Sequence, residues 1–402
     1  MNPLHLSGWG VKIRVRNLKS RSELEVTDGR EDDKHESTLR FRPRRFPYSS
    51  VIIDGHSGYV SLQAFHWLSR NKVPVFILDY DGSIISSILP PSPVKADLRA
   101  AQIKASEDAK RKFSIANAIV RAKVARSLLV LDWLAQRYDI ERGVRLTKHE
   151  ALRLGRARSV VDLRTVEGRV ALRYWQAFSS VIPESLDFQG RMTSSHQNNA
   201  SDPVNLALNY AYGVLEGECR AAINTVGLEP SVGFLHETSN YQTKQSLVYD
   251  LQEPFRWIAD VAVMEALESG VLDLPNFYFT GDDYRYRFEP KAKQEFLDLL
   301  RERFNSGVTY KGRSLKWDTV IEQKTIEMGR FIASRSARLD FSDPSPKLMS
   351  NDQGLRMKVV RMTSSEARRV GIGKSTLHYL KKRAKDDTPF RIYEPILAKV
   401  AK

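Results

Sequence analysis

An acid set among apolar and aromatic neighbours is expensive to bury unless it is paired, hydrogen-bonded or bound to a cation. Asp250 is such an acid, in Ser246-Leu247-Val248-Tyr249-Asp250-Leu251-Gln252-Glu253-Pro254-Phe255-Arg256. Fourteen residues earlier, His236 stands in Gly233-Phe234-Leu235-His236-Glu237, after an apolar stretch and the turn Gly227-Leu228-Glu229-Pro230. A third candidate, Glu167, lies in Thr165-Val166-Glu167-Gly168-Arg169-Val170-Ala171-Leu172-Arg173-Tyr174-Trp175. One imidazole nitrogen and two carboxylates form a mixed donor set that suits Mn²⁺ or Mg²⁺. Each residue also has a plain reading: Asp250 as a helix cap or ion-pair partner of Arg256, Glu167 as a surface helix acid, and His236, like His5, His35, His56 and His66, as structural or solvated. Residue type and spacing alone leave both readings open. Gly373-Lys374-Ser375 ends like a phosphate-binding loop, but the position five before Gly373, where that motif needs glycine, is Arg368.

The elements that must position these residues fall into three stretches. Residues 1–90 are β-rich: Leu4-His5-Leu6, Val11 to Val15 and Leu24-Glu25-Val26 alternate, followed by Val51-Ile52-Ile53, Tyr59 to Leu62, Val75 to Leu78 and Ile84-Ile85. A helix is expected from about Leu62 to Arg70, and Asp81-Gly82 between apolar runs signals a hairpin with a type I′ turn. Leu89-Pro90-Pro91-Ser92-Pro93 breaks all periodicity and marks a boundary. Residues 97–340 read as α-helical, with stripes at Ile115, Ile119, Ala122, Ala125, Leu129 and Leu134, then through 204–215, 255–267 and 296–304. Phe341 to Pro346 has linker composition, and 354–402 forms a third unit. The expected class is α+β: a β-rich N-terminal domain, a larger α-helical catalytic domain and a C-terminal helix-turn-helix.

The 402 residues carry 63 Lys+Arg against 48 Asp+Glu, a net charge of +15, which points to a polyanionic partner. The single cysteine, Cys219, excludes a disulfide-stapled secreted fold. No run of about 18 apolar residues or signal-peptide pattern appears, so a cytoplasmic protein without membrane insertion is expected. Residues 354–402 hold 13 Lys+Arg against 4 Asp+Glu, so most of the excess charge sits in the tail. There, Thr363-Ser364-Ser365-Glu366 fits a capping box. Ala367 and Val370 point inward, Gly371-Ile372-Gly373 turns the chain, and Leu377 and Leu380 anchor a second helix from Lys374. In a helix-turn-helix, Lys374, Ser375, Thr376, His378, Tyr379, Lys381 and Lys382 would face double-stranded DNA. An amphipathic hairpin with solvated lysines is the alternative.

Read together, Glu167-Gly168-Arg169 with Tyr174-Trp175, then Phe188-Gln189-Gly190-Arg191, then Asp202-Pro203-Val204-Asn205 through Tyr212-Gly213, then the His236 and Asp250 segments resemble the ordered motifs of the integrase family of CRISPR adaptation. The resemblance covers about residues 1–340. It implies that Glu167, His236 and Asp250 are the three metal ligands, with Mn²⁺ or Mg²⁺ as cofactor, and that Asn205, Tyr212, Glu253 and Arg256 support the site or touch DNA. One departure is Leu247, where some members carry an extra acid three positions before the last ligand. The tail resembles the C-terminal extension of casposases, related integrases of self-synthesising transposons. The implied reaction is transesterification, in which a DNA 3′-hydroxyl attacks a target phosphodiester in an assembly of at least two subunits. The alternatives are a CRISPR adaptation integrase or endonuclease acting with a partner subunit, and, from another class, a non-catalytic DNA-binding regulator indifferent to metal.

Overall fold

The computed structural model describes residues 3–18, 21–29, 38–55, 57–93, 95–191, 201–236, 245–281, 285–346, 348, 359–360 and 362–385. The β-rich start comprises β1 (Leu4–Ser7), β2 (Val11–Leu18), β3 (Arg21–Thr27), β4 (Thr38–Phe41), β5 (Val51–Asp54), β6 (Gly58–Val60), α1 (Leu62–Arg70), β7 (Val75–Leu78) and β8 (Ile84–Ile88). Two four-stranded sheets result, ordered β1-β5-β7-β8 and β4-β3-β2-β6. In the first, β1, β5 and β7 run parallel and β8 returns antiparallel. Alternation along these strands serves two cores at once. Val51, Ile53 and Val75 join Leu6, Ile13, Leu24 and Trp67 between the sheets and α1, while Ile52, Phe76 and Leu78 point the other way, into the helical core.

The Asp81-Gly82 hairpin forms, but not with the anticipated turn. Gly82 alone is left-handed, at φ 83°, and Asp81 instead accepts a hydrogen bond from the Ser83 amide at 2.9 Å. The Asp81 side chain closes the loop, so a type I′ backbone is not needed. α1 opens at Leu62, where the helix is expected, because the Ser61 hydroxyl accepts from the Ala64 amide and starts the helix there.

The helical part contains α2 (Ala96–Glu107), α3 (Ala109–Leu134), α4 (Glu141–Ala151), α5 (Val160–Ser179), α6 (Pro203–Val226), α7 (Ser246–Gln252), α8 (Trp257–Glu268), α9 (Pro290–Asn305) and α10 (Trp317–Ile332). Two hairpins interrupt it, β9 (Phe277–Thr280) with β10 (Arg285–Phe288), and β11 (Gly307–Tyr310) with β12 (Arg313–Lys316). The anticipated stripe on α3 holds at Ile115, Ile119, Ala122 and Leu134, but Ala125 is exposed, and Val124, Arg126 and Val130 are buried instead. A helix packed against several neighbours buries more than one stripe, so period alone does not pick its inner face. In the tail, α11 (Ser364–Arg369) and α12 (Lys374–Lys385) flank left-handed Gly371, with Val359, Met362, Ala367, Ile372, Leu377 and Leu380 as a small core.

Candidate active site

Side chains from α3, α5, α6, the turn that follows α7, and α8 line one cleft. α5 starts with a capping box between Ser159 and Asp162 and carries Glu167 on the side that turns Val170 and Tyr174 inward. α3 contributes Lys123, whose ammonium contacts Glu167 Oε1 and lies 2.5 Å from Glu253 Oε2. Glu253 sits in the 3₁₀ turn Glu253–Phe255, where Pro254 breaks the helical path between α7 and α8. Arg256 follows one turn on, with its Nε 3.2 Å from Glu253 Oε1.

His236 arrives on the loop after α6, and that loop is held from two sides. Gln102 donates to the carbonyls of Glu229 and Val232 at 2.9 and 2.8 Å and accepts from the Glu229 amide at 2.8 Å. Asp250 takes the other side. Its Oδ2 accepts from the amides of Phe234 and Leu235, and its Oδ1 accepts from the His236 amide at 2.9 Å and lies 2.7 Å from His236 Nδ1. An ionised carboxylate offers about four lone-pair sites and only accepts, so Nδ1 carries the proton and Asp250 has nothing left to offer a cation. Gly233 makes this approach feasible, since a Cβ there would stand 2.7 Å from Ser246 Cβ and 3.0 Å from Asp250 Oδ2. The free nitrogen, Nε2, faces Glu253 Oε1 at 3.9 Å, and the imidazole remains 44% exposed, open to a ligand from solvent.

Glu167 and His236 flank the same acid, Glu253: Glu167 shares Lys123 with it, and His236 Nε2 lies 3.9 Å from its Oε1. Asp250, expected as the third ligand, lies behind His236, fully buried. Asp250 and Glu253 stand three residues apart, on α7 and on the turn that follows it.

Electrostatics fix the charge states in the cleft. Burial alone would raise the Glu253 carboxyl, but Arg256, Lys123 and His236 outweigh it and bring it down to about 2. Burial disfavours the Lys123 ammonium, while Glu253 and Glu167 more than restore it. Deeper in, Asp260 accepts from the hydroxyls of Tyr174 and Tyr212, each at 2.6 Å. Burial pushes both phenols well above their usual range, so they remain donors. The Tyr212 ring carries Arg256 at 4.7 Å and Arg191 at 5.3 Å, so it aims two cations. Asn205 is occupied otherwise: its amide and side chain bond Asp202 at 2.7 and 2.6 Å, and its Oδ1 accepts from Arg191 at 3.0 Å. It anchors Arg191 at the start of α6.

Lys123, Tyr174, Arg191 and Asp260 complete the site without having been singled out. Asp260 had a readable signal, an acid inside Trp257-Ile258-Ala259-Asp260-Val261-Ala262-Val263, the same argument that selects Asp250. Lys123 had none, because a lysine on an amphipathic helix is ordinarily solvated. Among the described residues, no three His, Cys, Asp or Glu side chains form a ready-made metal cage. The donor set nevertheless fits a divalent cation, because Glu167 and Glu253 already converge on the positive charge of Lys123, with His236 Nε2 alongside.

In the tail the capping box is present, with Glu366 donating its amide to the Thr363 hydroxyl at 3.2 Å. Lys374, Ser375, His378, Tyr379 and Lys382 are exposed along α12, and Thr376 and Lys381 are half-buried. Among the described residues, no helix is long and apolar enough to cross a membrane.

A mixed α+β fold with this cleft defines a class. Residues 23–302 match the family model described as CRISPR associated protein Cas1. The CRISPR-associated endonuclease Cas1 1 of Archaeoglobus fulgidus is 30% identical over 312 residues, 72% of this chain and 87% of its own length. A counterpart from Methanospirillum hungatei is 28% identical over 325 residues, 79% of this chain and 92% of its length. The chain belongs to the Cas1 family. Among solved structures, a casposase bound to integration product superposes with a TM-score of 0.77 and 35% identity, covering 90% of this chain and 99% of that one. A CAS1 protein from Thermotoga maritima shares the fold at TM-score 0.62 and 14% identity, covering 82% and 96%.

Proposed function

We propose that the protein is a DNA integrase of the casposase type. A 3′-hydroxyl at the end of one duplex attacks a phosphodiester of another; the new P–O bond forms as the target's 3′-oxygen leaves, and the proton passes from the attacking to the departing oxygen. One observation carries the reading: Glu167 and Glu253 line one cleft and His236 Nε2 faces Glu253 Oε1 at 3.9 Å, in a chain that matches a casposase bound to integration product over 90% of its length.

The proposed cation ligands are Glu167, His236 and Glu253, with Mn²⁺ or Mg²⁺ as the hard cations this set suits. When bound, such a cation supplies Lewis-acid stabilisation of the phosphate's developing charge. The chain's own residues do the rest. Asp250 fixes the tautomer and aim of His236, so it acts as a positioning residue. Arg256, aimed by Tyr212 and Glu253, offers a fixed positive charge to a non-bridging phosphate oxygen. The exposed face of α12, from Lys374 to Lys382, reads or grips DNA, with the helix-turn-helix as its scaffold. Joining two ends to one target requires at least two sites, hence a homo-oligomer. The Cas1 relatives support a CRISPR adaptation integrase or endonuclease as the second reading, with the same chemistry at the same residues. Water in place of the 3′-hydroxyl turns joining into cleavage.

The test is strand transfer of a labelled duplex into supercoiled plasmid with Mn²⁺. Covalent joining by wild type, abolished by chelator and by His236→Ala, supports the reading. DNA bound without joining under every metal leaves a DNA-binding protein and overturns it.

A further inference from the structure

We propose that α4, the 3₁₀ turn Leu152–Arg156 and the face of α5 turned away from Glu167 form a second DNA-binding groove, which grips the phosphate backbone without reading sequence. The proposal takes its ligand from the integrase reading and adds a site to it.

Between Arg142 and Arg173 there are nine Lys+Arg and three acids. Each of the three acids has partners of its own, although Asp162 lies in the groove's wall. Glu150 pairs with Arg153 at 3.1 Å, Asp162 accepts the amides of Arg158 and Ser159 at 2.9 and 3.0 Å, and Glu167 faces the catalytic cleft against Lys123. The cations do not scatter. Arg142, Arg145 and His149 follow at three- and four-residue steps along α4, the 3₁₀ turn continues the row to Arg153 and Arg156, and Arg169 lies one turn beyond Thr165 on α5. An open groove runs between these elements, lined by His149, Arg153, Arg156, Asp162 and Thr165 together with apolar side chains. Arg142, Arg145, Arg156 and Arg169 are exposed and have no carboxylate in ion-pair distance among the described residues.

A row of cations at this spacing suits a duplex, whose phosphates place one negative charge per ~1.7 Å of axis. A protein partner would need an equally dense acidic strip. The groove and the catalytic cleft lie on different sides of α5, about one helix width apart, ~10–12 Å with side chains. DNA held on the Arg169 side therefore reaches Glu167 by crossing a single helix.

The experiment measures affinity for a random-sequence duplex against NaCl concentration, using the full-length protein. Each phosphate contact contributes about 0.9 to the slope of log K on log salt, so Arg145→Gln/Arg156→Gln/Arg169→Gln lowers the slope by about 2 to 3. A charge-matched control, Arg44→Gln/Arg70→Gln/Lys72→Gln on the exposed β-rich part, leaves it unchanged. Equal slopes in wild type and the groove variant, or an equal drop in the control, overturn the groove. If the groove variant alone loses slope while wild type fails to join strands, the groove stands and the integrase reading falls.

Discussion

His236 Nδ1 lies 2.7 Å from Asp250 Oδ1, and the same carboxylate caps the three amides of Phe234, Leu235 and His236. One side chain thus builds the loop and orients the imidazole it presents. Asp250→Ala removes every one of these acceptors from a buried position, which costs about 3 kcal/mol or more. Urea denaturation with and without divalent cation measures it. Asp250→Asn keeps one acceptor oxygen but turns an amine on the backbone amides, so it recovers less than half of that loss.

Asp260 is the buried counterpart of the same logic. Tyr174→Phe and Tyr212→Phe each strand one of its oxygens and destabilise by about 1–3 kcal/mol. Because the two phenols share one carboxylate, the double variant departs from additivity by more than about 0.5 kcal/mol. Tyr212→Phe keeps the ring under Arg256, so it retains more activity than Tyr212→Leu at equal stability.

How much of this was legible follows from particular residues. α1 was readable at both ends, because a hydroxyl cap and an amphipathic stripe are local signals. So was the capping box at Thr363 and Glu366. The hairpins β9–β10 and β11–β12 were not, since strands of four residues are too short to show a period inside a helical stretch. In the site, the cost of burying Asp250 was legible but its creditor was not. Nothing in the order of residues says that backbone amides, rather than a cation, meet the Asp250 carboxylate. The role of Glu253 emerges only when Pro254 breaks the helix and the turn swings that acid toward Lys123.

Glu253 makes acid stability measurable. Its folded pKa is depressed to about 2 from an ordinary 4.5, so it contributes stability above about pH 4.5 that is lost as pH falls toward 2. In metal-free buffer, the wild-type urea midpoint falls steeply through that window. Glu253→Gln starts lower, because Lys123 and Arg256 lose their partner, and declines less over the same range. Parallel curves for the two proteins contradict the charge assignment.

Gly371 closes α11 with φ 72°, a conformation a β-branched residue rarely adopts. Gly371→Val melts the tail locally: amide-exchange protection is lost over 364–382 while that of α8 is retained, and duplex affinity falls. Unchanged protection in the tail rejects the turn's role.

The most direct test is strand transfer by Glu253→Gln beside Asp250→Asn, each matched to wild type for folding by circular dichroism, at saturating and limiting Mn²⁺. The account predicts that Glu253→Gln joins no labelled duplex to plasmid at any Mn²⁺ concentration, whereas Asp250→Asn joins slowly and gains rate as Mn²⁺ is raised. Wild-type joining by Glu253→Gln, with Asp250→Asn dead at every concentration, would contradict the proposed ligand set and return Asp250 to the metal.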